Sequence, residues 1–399
     1  MRKAPAVLAA LLALLLGGRE SAARKLADLI PGLYGGDGIF LATNPTANHT
    51  AHFVVGSAAS INRLNEQIST EIGVFPFSSS VGGFTFAFDP ALGTFVRTTE
   101  TLGPLFAERA PTLGQGKLNV HTSLTFFQYD SFGGESLNNL QVVARHDPNI
   151  IGFPDVQEQF EHDTILVNID LDIRVQILAL AATYGLTDRL DIGVFVPITR
   201  VEMDVRSAAR VVEAPQNTLF PDVHTFAGGP ESPNDAAHGS AVGLGDIVLR
   251  AKYHLLKDAV VDLATAMLVK LATGDEKDFL GTGHTTIRPF LVLSRTFFGF
   301  LTPHINAGYE FNLDRNDQNS VEYALGFDVG FKRWTVATEF LGSHELNGDG
   351  IGDHILTASV GAKWNPWKQF LLAANVQLPL NKSGLRSDLI TTFSVEYSF

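Results

Sequence analysis

The chain of 399 residues contains no cysteine. That excludes a disulfide framework, thiolate chemistry, thiolate metal ligands and a lipid attached through an N-terminal cysteine. Any metal site would have to be built from histidine and carboxylates. Long apolar runs are missing as well: residues 4–18 form a stretch of 15, short of the ~20 a spanning helix needs, and nothing comparable follows. Positive charge is in short supply. Lys and Arg total 29 against 42 Asp and Glu, a net charge of −13, which argues against a nucleic-acid partner. Motifs of catalysis are absent too. There is no Gly-x-Ser-x-Gly elbow and no His-Glu-x-x-His, and Gly243-x-Gly245 lacks the rest of a dinucleotide fingerprint.

What is present begins with an export signature. Arg2 and Lys3 precede the apolar stretch, and the small residues Ser21, Ala22 and Ala23 suit a signal peptidase, so residues 1–23 are expected to be a signal peptide. Its removal takes Arg2, Lys3, Arg19 and Glu20 with it and leaves a net charge of −15. The 37 glycines and 29 phenylalanines fit a chain of many tight turns with an apolar outer surface.

The dominant pattern has a period of two. At the C-terminus Phe393, Val395, Tyr397 and Phe399 alternate with Ser394, Glu396 and Ser398, giving one face fit for lipid and one for a watery lumen. A slip of one residue would turn Glu396 toward hydrocarbon, where an ionised group costs up to roughly 2–4 kcal/mol, so the register is strongly constrained. These four apolar residues are expected to serve as the assembly signal read by the barrel assembly machinery. From Lys117 onward about a dozen such segments follow, each near the ~9–11 residues of a tilted membrane strand. Residues 165–184 carry Val167, Ile169, Leu171, Ile173, Val175 and Ile177 on one face, expected outward, with Asn168, Asp170, Asp172, Arg174 and Gln176 on the other. The return strand turns Leu190, Ile192, Val194 and Val196 outward. Between Val196 and Val201 the parity changes, which marks a bulge or emergence from the membrane.

The fold expected is all-β: a transmembrane antiparallel β-barrel of 12–14 strands. Twelve strands are counted from Lys117. A further hairpin within residues 68–99 would make 14; there 68–77 could pair with 81–88, and 94–99 could pair back across Pro90-Ala91-Leu92-Gly93. Short connections near Thr187, Asp258, Gly299, Arg333 and Pro366 alternate with longer ones, which places both termini in the periplasm. Trp334, Trp364 and Trp367 flank the short turns and read as a periplasmic aromatic girdle. Residues 24–67 lack alternation and include a possible short helix over 61–68. They are expected to form an N-terminal plug or a periplasmic segment, with the barrel spanning 68–399.

Four stretches carry a family resemblance: residues 26–39 (LADLIPGLYGGDGI), 183–197 (TYGLTDRLDIGVFVP), 243–253 (GLGDIVLRAKY) joined to 271–283 (LATGDEKDFLGTG), and 304–311 (HINAGYEF) with the closing strands. Through them the chain resembles the outer-membrane family of meta-pathway phenol degradation proteins, itself similar to the long-chain fatty-acid transporter type of barrel. The resemblance implies a barrel that passes small hydrophobic or aromatic compounds across the outer membrane, with no catalytic motif to carry over. Where the transporters would have an Asn-Pro-Ala-Gly motif in the plug, Asn44-Pro45-Thr46-Ala47 is a partial echo.

Candidate lumen-lining residues are Asp170, Asp172, Arg174, Asp191, Asp246, Arg250, Lys252, Lys270, Arg288, His304, Glu310, Glu322, Asp328, Lys332, Glu339, Lys363 and Glu396. Both signs occur on neighbouring strands, as a network bracing strands and plug would require. Loops 274–278 and 347–353 gather carboxylates beside glycines without the full spacing of a calcium loop, so no metal site is assigned. No cofactor is implied. The expected partners are outer-membrane lipid and lipopolysaccharide, the assembly machinery and a small hydrophobic substrate. The function expected is a channel for passive uptake of such compounds. A structural or adhesive barrel without transport, or an outer-membrane hydrolase, are the alternatives.

Overall fold

The computed structural model describes residues 24–33, 53–54, 56–73, 86–89, 94–97, 101–146, 163–213, 224–226, 231, 235–257, 260–315, 318–348, 352–367 and 369–399. The expected signal peptide, Asn44 to Ala47, residues 74–85 and residues 349–351 of the acidic loop lie outside them.

Twelve strands close into a ring. They are β1 (Leu118–Tyr129), β2 (Thr164–Gly185), β3 (Leu190–Val212), β4 (Asp235–Leu244 with Ile247–Leu256), β5 (Asp262–Leu271), β6 (Thr286–Ser294), β7 (Leu301–Asn312), β8 (Ser320–Phe331), β9 (Trp334–Glu345), β10 (His354–Trp367), β11 (Phe370–Pro379) and β12 (Ile390–Ser398). Each pairs antiparallel with its sequence neighbours, and β12 returns to β1 from Thr391↔Phe126 to Ser398↔Asn119. Closure satisfies every strand edge, the condition for backbone to cross hydrocarbon. β4 is one strand in two halves: Leu244 faces Ile198 and Val248 faces Phe195, so three residues oppose two in a bulge at Gly245-Asp246.

The strand count is the lower end of the expected range because, among the described residues, no strand before Leu118 joins the ring; Phe53–Val54 reaches the sheet only through Leu140–His146, which pairs with the start of β2. Residues 68–73 belong to a helix rather than a hairpin, so the boundary drawn at residue 68 falls inside it. Phe86–Asp89 does pair with Thr94–Arg97, in a separate two-stranded sheet. Two helices, α1 (Leu29–Gly32) and α2 (Gly56–Gly73), precede the barrel.

The short connections, leaving β2 at Gly185, β4 at Leu256, β6 at Ser294, β8 at Phe331 and β10 at Trp367, lie at one end of the ring, and the longer ones at the other. Outward side chains near the short turns are apolar and exposed: Leu249, Leu325, Phe327, Phe393 and Val395 among them. β2 and β3, with 22 and 23 residues, are twice the length a membrane crossing needs. Their register runs unbroken from Thr164↔Val212 to Gly185↔Asp191. Parity is therefore constant, and Tyr184 and Ile192, both exposed on the outside, share a face with Asp170, Asp172 and Arg174.

This reverses the expected assignment of those three residues. Asp170, Asp172 and Arg174 line no lumen; they stand on the outer face of the protruding hairpin, where Arg174 pairs with Asp172 at 2.7 Å and Asp204 at 3.3 Å. The apolar alternates Val167, Ile169, Leu171, Ile173, Val175 and Ile177 point inward and are buried in one cluster with Leu26, Leu29, Ile30, Leu64, Ile68 and Ile72 of the helical region. An ion-pair ladder belongs where water, not acyl chains, surrounds the barrel. Of the two readings offered for the parity change near Val196, the register leaves no bulge between β2 and β3.

Candidate functional site

Of the remaining charged positions, all but Lys332 are buried or half-buried. Asp191, Asp246, Arg250, Lys252, Lys270, His304, Asp328, Glu339, Lys363 and Glu396 are buried, and Arg288, Glu310 and Glu322 are half-buried. Lys332 is exposed at the turn between β8 and β9. Twelve strands enclose more space than inward side chains fill, since about eight strands suffice for a filled interior and 16–18 leave an aqueous pore. Two further pieces of chain occupy it.

The first is the extended segment 101–117, buried over most of its length. A segment without secondary structure must find partners for its backbone, and here the inward-facing side chains supply them. Glu339 accepts from Leu105 N at 2.7 Å and Phe106 N at 2.9 Å, Thr335 from Leu102 N at 2.7 Å, Asn306 from Glu108 N at 2.6 Å, Ser294 from Ala110 N at 3.0 Å, and Asp191 from Leu113 N at 3.0 Å. Glu108 pairs with Arg250 at 2.6 Å, and Arg109 with Asp328. All three protons of the Lys252 ammonium have acceptors: Glu108, Arg109 O at 3.1 Å and Pro111 O at 2.9 Å. The luminal charge network thus holds this segment, as a brace for an internal chain should.

Four glycines make the arrangement possible. Gly114 and Gly116 have φ of +95° and +75°, and a Cβ on Gly185 would lie 1.9 Å from Gly114 O, so the chain turns into β1 by passing directly against bare backbone. Gly326 lies opposite both His304 and Glu339 in the ladder; a Cβ there would meet each at 2.9 Å, and its lack lets His304 Nε2 approach Glu339 Oε1 to 3.7 Å.

The second piece is the helical region at the long-loop end. Lys25 bonds Asp275 at 2.9 Å and Asp278 at 2.6 Å, Asn65 donates to Ala27 O, Ser69 donates to Glu276 O, and Arg315 bonds Glu66 at 2.9 Å. The Lys25 ammonium is raised above its ordinary range by Asp278 and Asp275, and the Asp275 carboxyl is correspondingly lowered by Lys25. Loop 272–285 is itself fixed by the bulge: Asp246 accepts from Gly274 N at 3.0 Å and Thr282 N at 2.7 Å. The acidic loop 274–278 is thereby explained as a clasp for Lys25 and α2.

Between the two pieces lies a cavity of about 590 Å³. Glu66, Gln67, Thr70 and Glu71 of α2 bound it on one side and Phe106, Ala107 and Glu108 on the other; Phe127, Tyr129, Phe132, Phe195 and Phe290 supply aromatic wall, and Arg250, Lys270, Arg288, Glu310 and Glu322 polar wall. Arg288 lies 3.7 Å from Glu310 and 3.4 Å from Glu322. Burial pushes the Glu71 carboxyl up to about 7, against the pull of the Arg386 guanidinium. Burial, aided by Arg315, lowers the His284 imidazole.

Sequence reasoning missed residues 101–117 as an internal chain, and with them Glu108 and Arg109. It also missed Glu71, Gln377 and Arg386. The available signals were a non-alternating stretch with Pro104, Pro111 and three glycines just before the first strand, and adjacent opposite charges within it. The three tryptophans are exposed on the outer face at the short-turn end; Trp334 stacks on Trp364 at 5.3 Å and Trp367 on Phe370 at 4.8 Å. Phe393, Val395, Tyr397 and Phe399 share that outer face. A closed, even-stranded antiparallel barrel with such a surface is the architecture of the bacterial outer membrane, and this chain is an outer-membrane barrel.

No curated protein matches the chain. Solved structures similar to it include an outer-membrane channel from Pseudomonas putida F1 (14% identity, TM-score 0.44, covering 73% of this chain and 98% of that one). The CymD monoaromatic hydrocarbon channel (10%, 0.37, 72% and 89%) and a Pseudomonas aeruginosa FadL homologue (11%, 0.34, 71% and 90%) are also similar. At these values the likeness is one of general barrel architecture. A family model matches residues 162–384, which takes in 183–197, 243–253, 271–283 and 304–311 of the stretches singled out in the sequence and leaves residues 26–39 and the closing strand outside. With more than half of its length matched, the chain belongs to the family described as "Putative MetA-pathway of phenol degradation".

Proposed function

We propose that this protein is a gated passive channel for small hydrophobic or aromatic compounds, with its long loops outside the cell and its short turns and both termini in the periplasm. The observation that carries this is the cavity of about 590 Å³ inside a closed barrel, walled by the rings of Phe127, Tyr129, Phe132, Phe195, Phe290 and Tyr323 and bounded on two sides by chain that is not part of the barrel. Ligand sites of this size and mixed lining take a small apolar body and fix it with a few polar groups. Residues 101–113 are held by side-chain hydrogen bonds rather than by strand pairing, so they can leave without opening the ring. In this reading they gate the periplasmic side and the helical region gates the outer side. Residues 1–23 direct export, the C-terminal strand is read by the assembly machinery, and the stacked tryptophans sit at the periplasmic headgroup level beside lipid. The luminal charges brace the gate rather than perform chemistry.

The test is permeation in liposomes holding the full chain, set against a variant in which residues 101–113 are replaced by a Gly-Ser linker of equal length. Entry of small aromatics that rises in the variant supports the reading. Equal, negligible entry with both folded barrels returns the protein to the structural alternative, and turnover of phospholipid or peptide by the pure protein returns it to the hydrolase.

A further inference from the structure

The long-loop end of the cavity gathers hydrogen-bonding groups that the protein itself does not match. Gln377, 1% exposed, has no partner for Nε2 among the described residues. Arg386, 6% exposed, donates through Nη2 to Leu356 O and Asn381 Oδ1, and its Nε has no partner among the described residues. Both line the cavity, as does Glu71 of α2, whose carboxylate interacts electrostatically with the Arg386 guanidinium and the Tyr129 phenol. Beside them Phe127 and Tyr129 pack edge to face at 5.3 Å, and Phe132 adds a third ring.

Buried donors without acceptors are uncommon in native interiors and point to a missing partner. The chemistry of that partner follows from the groups around it. A plain hydrocarbon would fill the aromatic wall but leave the Gln377 and Arg386 N–H groups as they are. A carboxylate would satisfy them while standing against Glu71 and, beyond it, Glu322, both of which line the same cavity. A hydroxyl or primary amide accepts and donates at once, so it can take the N–H groups of Gln377 and Arg386 and return a proton to Glu71. We propose that this end of the cavity is a binding subsite for a neutral aromatic ring bearing a hydroxyl or amide, anchored through that group by Glu71, Gln377 and Arg386 and through its ring by Phe127, Tyr129 and Phe132.

This inference rests on the channel reading above and narrows it from apolar compounds in general to polar-substituted rings. Its test uses the full chain with phenol, benzoate and toluene as probes at about pH 8, binding measured by calorimetry and entry measured in liposomes. Phenol should bind at least about tenfold more tightly than benzoate or toluene, since sites built to hydrogen-bond a group discriminate against analogues that lack it. Arg386→Gln and Gln377→Leu should each weaken phenol by about tenfold and leave toluene unchanged. Glu71→Gln, which alters a helix outside the ring, should strengthen benzoate about tenfold; a merely structural role for Glu71 would not move that ratio. Equal affinity for the three probes, or phenol binding indifferent to Arg386→Gln and Gln377→Leu in barrels that remain folded, overturns the subsite. Failure of all three probes to enter liposomes overturns the channel reading instead, whatever the affinities.

Discussion

Replacing Glu339 by alanine tests whether the luminal charges hold the internal segment. Glu339 is fully buried, and its two oxygens accept from the consecutive backbone N–H groups of Leu105 and Phe106. Without them two buried donors lose their acceptors, at about 1–3 kcal/mol each. Water entering the space left behind recovers part of this, so the net loss should be about 2–3 kcal/mol, enough to raise the population with segment 101–117 displaced by about 30- to 150-fold. Glu339→Gln keeps one acceptor oxygen and should lose about half as much, roughly tenfold in population. Single-channel recording in planar bilayers reads the population as open fraction, and amide exchange at Leu105 and Phe106 reads it independently. Gating and exchange identical to wild type in a folded Glu339→Ala barrel would refute the idea that these hydrogen bonds hold the gate.

Three further outcomes are expected. Leu325→Arg, on the outer belt, should cost roughly 2–4 kcal/mol near the midplane, whereas Arg174→Leu, on the protruding hairpin, should stay within about 1 kcal/mol; urea unfolding of the reconstituted barrel compares them. Burial pushes the Glu71 carboxyl up to about 7, above the usual carboxylate range, so its protonated form favours docking of α2. Docking is strongest below the unfolded value, weakens as the pH rises through 7 and levels above it, by at most about 3 kcal/mol. Open fraction should rise over that window in wild type and stay flat in Glu71→Gln. Lys25→Met should loosen the helical region by no more than about 1 kcal/mol, because the clasp with Asp275 and Asp278 is exposed, and the effect should vanish in high salt, as amide exchange in α2 would show.

Period-two alternation made the ring legible because a strand's two faces meet opposite solvents, and from Lys117 onward each outer face is greasy enough to stand out. Phe393 to Phe399 and the tryptophans at the short turns were readable for the same reason. Alternation, however, reports that two faces differ, not which one is inside. For Asp170, Asp172 and Arg174 the outer solvent is water and the inner one is a helix, so the polar face is the outer face and the rule inverts. Residues 101–117 left no periodic mark because their partners, from Asp191 to Glu339, are scattered over six strands. The cavity was illegible for a similar reason: Glu71, Gln377 and Arg386 are brought together only by closure of the ring.

The absence of cysteine allows the central claim, that residues 101–117 cross the interior of the barrel, to be tested by one cross-link. Ala110 N lies 3.0 Å from Ser294 Oγ on the inner face of β6. Cysteines placed at Ala110 and Ser294 should form a disulfide in outer membranes of intact cells, hold open fraction at its minimum, and release it on reduction. A pair that stays reduced under oxidant, or a cross-linked barrel that conducts like the reduced one, would contradict the account.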